Sequence, residues 1–173
     1  KTNVYVFFAG HGLGSDDGED AYLIPHDGAP ELLADTAVSQ RRIFQEIEKV
    51  NPASATIFLD TCYSGDIRGG ESRLISARPL AIKQKRNAIP DGFTVMTAAA
   101  GNQIAKPLDE VEHGLFSYFL MKGMEGTADS NRDGAITAQE LHDYVETNVY
   151  QQSSGSQIPE LQGDGDKVLV RFQ

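Results

Sequence analysis

Four apolar runs along the chain predict buried β-strands. They are VYVFFA (4–9), ATIFLD (55–60), FTVMTA (93–98) and KVLVRF (167–172). The first three are apolar almost throughout, which is typical of strands that are covered on both faces of a sheet. We therefore expect a central sheet with other elements packed on each side.

Three segments between these runs have the apolar spacing of amphipathic helices. They are RRIFQEIEKV (41–50), HGLFSYFLMKGM (113–124) and AQELHDYVETNV (138–149). Strands that alternate with helices indicate an α/β fold with a mainly parallel sheet flanked by helices. The length of 173 residues and the hydrophobic content of 40% suit a single domain over residues 1–173.

The charge and the cysteine count narrow the classes of partner and site. A formal net charge of -10 argues against binding nucleic acid through its phosphates. No apolar run approaches the roughly 20 residues that span a bilayer, so we expect no membrane partner either. The single cysteine excludes an internal disulfide and any zinc site built from several cysteines. It fits a reducing compartment, and we expect a cytoplasmic protein.

One long connection, residues 68–92, stands apart by its charge. Its basic residues are six of the fifteen in the chain, namely Arg68, Arg73, Arg78, Lys83, Lys85 and Arg86. A long, helix-poor connection within a compact domain is usually either functional or disordered. A functional loop and a solvated surface loop both remain open at this point.

Two chemically reactive side chains follow two of the predicted strands. His11 comes after the run at 4–9, and Cys62 comes after the run at 55–60. Functional groups of open α/β sheets collect beyond the carboxyl ends of the strands, so two parallel neighbours would bring both residues to one rim. A thiol with a pKa near ~8.5 is mostly protonated at neutral pH, and a neighbouring imidazole supplies the base it needs. Each residue alone has an ordinary structural interpretation, but their matching positions favour a Cys–His pair.

Glycines flank the histidine on both sides. Gly10 and Gly12 permit a sharp backbone turn and a close approach to a substrate. The amides of Gly12 and Cys62 are candidate hydrogen-bond donors to an oxyanion that develops during acyl transfer.

Two segments then carry a resemblance to a known family. FFAGHG (7–12) is followed by FLDTCYSG (58–65), with the cysteine 51 residues after the histidine. These segments resemble the catalytic segments of caspase-like cysteine peptidases, the clan of caspases, metacaspases and paracaspases. The pattern is closest to bacterial metacaspase-like or orthocaspase domains. Further similar segments are AYLIPHDG (21–28), TAAAGNQIA (97–105) and HGLFSYFLMKGMEG (113–126).

The resemblance implies a three-layer caspase-like fold and a cysteine endopeptidase. It implies that His11 is the general base and acid, that Cys62 is the nucleophile, and that Gly12 and Cys62 supply the oxyanion amides. It also implies two strands before the one that leads to His11, and this chain lacks them. We expect a companion segment or a second chain beside strand 4–9, because a bare apolar edge is prone to aggregate.

The acid before the cysteine bears on specificity. Asp60 stands where metacaspases, paracaspases and orthocaspases have an acid, so the resemblance implies that it lines the S1 pocket and pairs with Arg or Lys. A partly buried carboxylate prefers a cation, and the guanidinium fork can bind it through two hydrogen bonds. By the same analogy Ser64 adds a hydroxyl and Ala98 forms part of the wall. The alternative is that Asp60 fixes a loop by accepting backbone amides.

If the enzyme prefers Arg or Lys, the basic connection 68–92 contains possible sites for its own cleavage. A peptidase specific for basic residues could cut itself in a basic loop that follows its own nucleophile. Our hypothesis is that this segment is a maturation loop.

Residues 129–140, DSNRDGAITAQE, match the template of an EF-hand calcium loop. The ligands predicted from the template are Asp129, Asn131, Asp133, the Ala135 carbonyl and Glu140. The alternative is that Thr137 and Glu140 form an N-terminal capping box for the next helix. Peptide cleavage by this chemistry requires no cofactor. Ca²⁺ is a possible bound ion because of the loop 129–140. The acidic stretch SDDGED (15–20) is a second, weaker candidate for a cation.

The other three histidines lack partners at metal-ligand spacing. We interpret His26, His113 and His142 as structural or surface residues.

The predicted function is a self-processing cysteine endopeptidase that cleaves protein or peptide substrates after Arg or Lys. A peptidase with another P1 choice, a catalytically silent scaffold of the same fold and a calcium-responsive interaction module remain the alternatives.

Overall fold

The computed structural model describes residues 2–15, 19–29, 32–62, 88–99, 107–108 and 113–172. The strands are β1 Asn3–Gly14, β2 Ala21–Ile24, β3 Val38–Ser39, β4 Ser54–Cys62, β5 Phe93–Thr97, β6 Pro107–Leu108, β7 His113–Gly114, β8 Ala135–Thr137, β9 Glu160–Gly163 and β10 Val168–Arg171. The helices are α1 Leu33–Thr36, α2 Gln40–Lys49, α3 Leu115–Lys122 and α4 Ala138–Gln152, and a π-helical segment, Gly123–Thr127, continues α3.

The central sheet has six strands in the order β3-β2-β1-β4-β5-β9. Its centre is parallel, because β1 pairs with β4 and β4 pairs with β5 in the same direction. The three outer strands, β2, β3 and β9, pair antiparallel with their neighbours. The α/β prediction is confirmed, but the sheet is mixed as a whole. Strands β3 and β9 carry no continuous apolar run, and the apolar run of β2, AYLI, is only four residues long, so the sequence pattern does not predict these three strands.

Helices cover both faces of the sheet and give three layers. Phe44 and Ile47 of α2 pack with Ile57 and Leu59 of β4 on one face. Helices α3 and α4 pack on the opposite face, which carries Phe58. Neighbouring residues of β4 thus face different layers, because side chains alternate along a strand. In the described parts of the chain, the helices are too short or too polar to cross a membrane.

The fourth apolar run forms a strand outside the central sheet. Strand β10 pairs antiparallel with β8 in a separate two-stranded sheet, so its expected place among the parallel strands is wrong. The reason is that the apolar residues Leu169 and Val170 pack against the cluster around α3 and α4. The side chain of Lys167 joins this small sheet to β4, since its Nζ donates a hydrogen bond of 2.6 Å to Oγ1 of Thr56.

Strand β1 changes partner along its length. Residues Asn3 to His11 pair with β4, and residues His11 to Gly14 pair with β2. Within the described ranges, no strand pairs with the other side of residues 3–10. Tyr5 and Phe7 of this stretch are 53% and 56% exposed, so the expectation of a strand covered on both faces is wrong for β1.

Candidate functional site

The two predicted catalytic residues are register partners in neighbouring parallel strands. The ladder between β1 and β4 runs from Asn3 opposite Ser54 to His11 opposite Cys62. Neighbouring strands are about 4.8 Å apart, so the two backbones are adjacent at the carboxyl ends of the strands. The structure therefore brings His11 and Cys62 together at the edge where functional groups of α/β sheets collect.

His11 is also the residue at which β1 exchanges one partner for another. It pairs with Cys62 on one side and with Ile24 of β2 on the other. The sharp turn that Gly10 and Gly12 would permit does not occur, because β1 continues in extended conformation to Gly14. A Cβ atom on Gly10 would lie 3.0 Å from the ring of Phe8, so this glycine permits close packing and not a turn.

Asp60 lies fully buried, with 1% of its surface exposed. Its Oδ2 accepts hydrogen bonds from Oγ of Ser117 at 2.5 Å and from the Ser117 amide at 3.3 Å. Ser117 is in the first turn of α3, where free amides and the helix dipole favour a negative charge. The amide contact is the kind of bond that the structural interpretation of Asp60 predicts, although it comes from a helix and not from a loop.

The start of α3 approaches the carboxylate closely. Gly114 is the N-cap residue of this helix. A Cβ atom at Gly114 would overlap Oδ2 of Asp60. Glycine at this position is thus a condition for the contact between the helix and the acid.

Ala98 is fully buried just beyond β5. Its amide donates a hydrogen bond of 2.9 Å to the carbonyl of Leu59, the residue before Asp60. Its own carbonyl accepts a hydrogen bond of 2.9 Å from Nε2 of Gln157. Ala98 therefore lies beside the end of β4. Ser64 and residues 68–87 of the proposed maturation loop are outside the described residues.

The loop 129–140 is folded around its own polar side chains. Oδ1 and Oδ2 of Asp129 accept hydrogen bonds from the amides of Asp133 at 3.2 Å and Gly134 at 3.1 Å. Oδ1 of Asn131 accepts from the Asp133 amide at 2.8 Å. Gly134, at the sharp-turn position of the template, has a φ of +79°, which favours glycine. The Ala135 amide donates to Oδ1 of Asp133 at 2.9 Å.

Glu140 closes this loop and begins α4. Its Oε2 accepts from the amide of Thr137 at 3.0 Å, and the hydroxyl of Thr137 accepts from the Glu140 amide at 3.2 Å. These bonds form the capping box. Oε1 accepts from Oγ of Ser130 at 3.1 Å, so the carboxylate also contacts the loop. The hydrogen bond from the Thr137 amide is the main cause that lowers the pKa of Glu140.

The described part of the acidic stretch 15–20 has local hydrogen bonds. Oδ1 of Asp20 accepts from the amide of Ala21 at 2.8 Å. The carbonyl of Glu19 accepts a bond of 2.8 Å from the guanidinium of Arg41. The contact with Arg41 joins the connection between β1 and β2 to the start of α2.

Comparison with known proteins agrees with this geometry. A family model described as the caspase domain matches residues 1–169. The chain belongs to the caspase-domain peptidase family. This caspase domain is 25% identical over 170 residues to a probable protease from a Desulfuromonadales bacterium, in a match that covers 91% of the chain and 20% of the relative. The chain therefore spans about a fifth of that relative's length.

A solved structure shows the same fold. Protein GSU0716 from Geobacter sulfurreducens aligns with a TM-score of 0.58 and 17% sequence identity. The alignment covers 95% of this caspase domain and 68% of the other chain. Together with the family match, it confirms the caspase-like fold predicted from the sequence.

The sequence analysis missed Ser117 as the partner of Asp60. A serine inside an apolar helical segment such as LFSYFL is usually a surface or packing residue. The one available signal is that Ser117 interrupts an otherwise apolar run three residues after a glycine N-cap. No local pattern indicates that β4 ends beside this turn.

Proposed function

We propose that this caspase domain is a cysteine endopeptidase with a Cys62–His11 dyad. The observation that carries the proposal is the register of β1 and β4, which makes the two residues neighbours at the carboxyl ends of parallel strands. The amides of Gly12 and Cys62 are the proposed donors to the oxyanion, whose stabilisation is a large part of catalysis in acyl transfer.

The proposed reaction follows from these assignments. The Cys62 thiol gives its proton to His11, and its sulfur attacks the carbonyl carbon of the scissile bond. The carbon–nitrogen bond breaks as His11 returns the proton to the leaving amine, which leaves a thioester on Cys62. Water then attacks the thioester, His11 takes a proton from it, and the thiol is released with the carboxylic product.

We propose further that Asp60 selects Arg or Lys at P1, with Ser64 and Ala98 in the same pocket. Support comes from the burial of Asp60, since a desolvated carboxylate interacts strongly with a cation. Ser117 and the start of α3 hold that carboxylate in one position. The competing role for Asp60 is purely structural, as an anchor for α3.

Peptide cleavage tests both assignments. Fluorogenic peptides ending in Arg, Lys, Asp or Asn are incubated with the protein, Cys62→Ala, His11→Gln and Asp60→Asn. The exposed His26→Gln is the matched control for loss of an imidazole. We expect cleavage after Arg and Lys that requires Cys62 and His11 and is unchanged in His26→Gln. Cleavage after Asp alone would contradict the role given to Asp60, and no cleavage of any peptide would favour a silent scaffold.

We propose that the basic segment 68–92 is cut by the enzyme itself. Six cations follow Cys62 closely in the sequence, and a peptidase for basic residues recognises such sites. Intact-mass analysis of the active protein and of Cys62→Ala tests the idea. Fragments that map to this segment in the active protein alone are the expected result, whereas two intact chains would refute self-processing.

We also propose that the loop 129–140 binds Ca²⁺. The predicted ligands are all oxygens, which this hard cation prefers, and the φ of Gly134 fits the sharp turn of the template. The side chain of Glu140 already contacts the loop through Ser130. In this role Ca²⁺ stabilises the start of α4 and takes no part in peptide cleavage.

Calorimetric titration with Ca²⁺ tests this site. Glu140→Gln keeps a capping-box side chain but loses the charge and the bidentate carboxylate, so we expect much weaker binding. Asp91→Asn, an exposed acid outside the loop, is the control. Equal isotherms for all three proteins would exclude the loop as the site. Calcium binding without peptidase activity would favour the calcium-responsive interaction module.

We propose that a companion segment or a second chain pairs with β1. The support is that residues 3–10 pair on one side only among the described strands, and that Tyr5 and Phe7 are exposed there. Hydrogen exchange of the full-length protein tests this, because a paired second side protects amides that an open edge exposes.

We also propose a cytoplasmic location, for which the single cysteine is the support.

A further inference from the structure

Helix α4 brings three metal-ligating side chains together on its surface. They are His142, Asp143 and Glu146, whose ligand atoms all lie within 4.8 Å of one another. Nδ1 of His142 is 3.5 Å from Oδ1 of Asp143 and 3.9 Å from Oε2 of Glu146. This cluster is separate from the Cys62–His11 site and from the loop 129–140, and neither proposed role uses it.

Contacts around the cluster fix the orientation of the imidazole. Nε2 of His142 is 3.3 Å from the backbone carbonyl oxygen of Pro159. A carbonyl oxygen can only accept, so a hydrogen bond at this contact assigns the ring proton to Nε2. In the neutral ring, Nδ1 then presents its lone pair toward the two carboxylates. A histidine that binds a metal commonly has its second ring nitrogen fixed in this way.

One of the carboxylates is held as well. Oδ1 of Asp143 accepts a hydrogen bond of 2.7 Å from the side-chain amide of Gln139. Carboxylates that ligate metals usually have such a supporting hydrogen bond. Two of the three ligands are thus oriented by groups behind them, namely a carbonyl from the segment before β9 and an amide one turn earlier in α4.

The contact between Nδ1 of His142 and Oδ1 of Asp143 is at the long limit of a hydrogen bond, and the contact with Oε2 of Glu146 is beyond it. An N–H···O bond spans about 2.7–3.2 Å, so 3.5 and 3.9 Å are long for a donor and its acceptor. Two ligands of one tetrahedral zinc ion, each bound at about 2.0–2.1 Å, lie about 3.4 Å apart. In the described part of the chain, neither Asp143 nor Glu146 forms an ion pair with Lys or Arg, so no protein cation of that kind balances the two charges.

We propose that His142, Asp143 and Glu146 bind a first-row divalent transition-metal ion, with Zn²⁺ the best fit. One imidazole nitrogen with two carboxylate oxygens suits such ions, whereas Ca²⁺ and Mg²⁺ take oxygen ligands. Water completes the coordination, because three protein ligands leave at least one position open. This proposal departs from the interpretation of His142 as a structural or surface residue.

Metal binding at this site would stabilise the contact between α4 and the segment before β9. The metal would hold the imidazole that donates to Pro159, and Pro159 leads directly into β9 at the margin of the central sheet. A ligand that binds only the folded state stabilises it. Zinc should therefore raise the melting temperature through the contact between α4 and the segment before β9, independently of peptide cleavage.

Zinc titration of tag-free protein tests the proposal. All variants carry Cys62→Ala, which removes the thiol that would otherwise compete for zinc at the dyad, and excess Ca²⁺ is present to occupy the loop 129–140. Isothermal calorimetry and the visible spectrum of bound Co²⁺ are recorded. The variants are His142→Gln, Glu146→Gln and Gln139→Ala, with His26→Gln as the control for loss of an exposed imidazole.

We expect one zinc ion per chain, bound with a rise in melting temperature. His142→Gln should abolish this binding and Glu146→Gln should weaken it, while His26→Gln should leave it intact. Loss of the supporting amide in Gln139→Ala should weaken zinc binding about tenfold or more. Circular dichroism confirms that each variant is folded. The proposal is overturned if His142→Gln binds zinc as tightly as its parent, or if the parent shows no saturable binding.

Discussion

The Ser117 hydroxyl donates a hydrogen bond of 2.5 Å to Oδ2 of Asp60, and the Ser117 amide donates a second one of 3.3 Å to the same atom. Asp60 is two residues before Cys62 in β4, and Ser117 is in the first turn of α3. The contact therefore joins the strand of the proposed nucleophile to the helix that covers it. Both groups are buried, so water cannot replace a bond that is lost.

Ser117→Ala should destabilise the protein by about 1.5–3 kcal/mol, because a hydrogen bond to a buried charge is lost. Ser117→Thr keeps the hydroxyl and should recover part of the loss. Chemical denaturation in a Cys62→Ala background measures both. If Asp60 also selects P1, Ser117→Ala should raise KM for Arg peptides more than it lowers kcat. Equal stability of Ser117→Ala and the parent would show that the bond is unimportant.

Gly114→Ala should be costly for a steric reason. The added methyl group would overlap the carboxylate of Asp60, and forced overpacking typically costs about 1–3 kcal/mol. Gly165→Ala is the control, since its methyl group would meet the flexible end of Gln139. Thermal and chemical unfolding of the two variants should differ clearly. Similar small effects would mean that α3 can shift away from Asp60 at little cost.

Gln157 should be important for stability because it satisfies a buried carbonyl. It is fully buried, and its Nε2 donates to the carbonyl of Ala98 at 2.9 Å. Gln157→Leu would leave that oxygen without this donor, at a cost of about 1–3 kcal/mol. The exposed Gln151→Leu is the matched substitution and should change the free energy of unfolding little. Comparable losses in both variants would point to a cause other than the buried hydrogen bond.

Thr61→Val should stabilise the protein. Oγ1 of Thr61 is buried and has no hydrogen-bond partner among the described residues. Replacing this hydroxyl with a methyl group removes an uncompensated desolvation cost of about 1–3 kcal/mol. The exposed Thr147→Val provides a baseline. A loss of stability in denaturant unfolding of Thr61→Val would indicate that the hydroxyl does have a partner.

Glu140 should make stability depend on pH in the acidic range. Hydrogen bonds, first of all from the Thr137 amide, hold its pKa below the ordinary value of 4.5. A carboxyl group with a lowered pKa in the folded state contributes stability above 4.5 and loses it as pH falls through the folded pKa. Without calcium, the free energy of unfolding of the parent should therefore exceed that of Glu140→Gln at neutral pH, and the difference should shrink below 4.5. A constant difference across this range would contradict the assignment.

Local sequence patterns are enough to predict the elements whose signal lies within one segment. The continuous apolar runs at β1, β4 and β5 indicate strands, of which β4 and β5 are buried and β1 is exposed on one face, and the amphipathic spacing of α2 and α4 indicates helices. The positions of His11 and Cys62 directly after two such runs are likewise visible in the chain. The same patterns fail for β3 and β9, because short edge strands form through pairing with a neighbour and carry little signal of their own. Strand β2, AYLI, is apolar, but a run of four residues is too short to be assigned by its pattern alone.

The remaining features depend on contacts between residues that are far apart in the sequence. Ser117 and Asp60 are separated by 57 positions, and Pro159 and His142 by 17. Strand β10 is apolar like the central strands, yet it pairs with β8, since apolar character specifies burial but not the partner. Which strand ends adjoin, which acid meets which helix and which backbone carbonyl contacts His142 are consequences of packing. These relationships are therefore properties of the folded protein and not of any one segment.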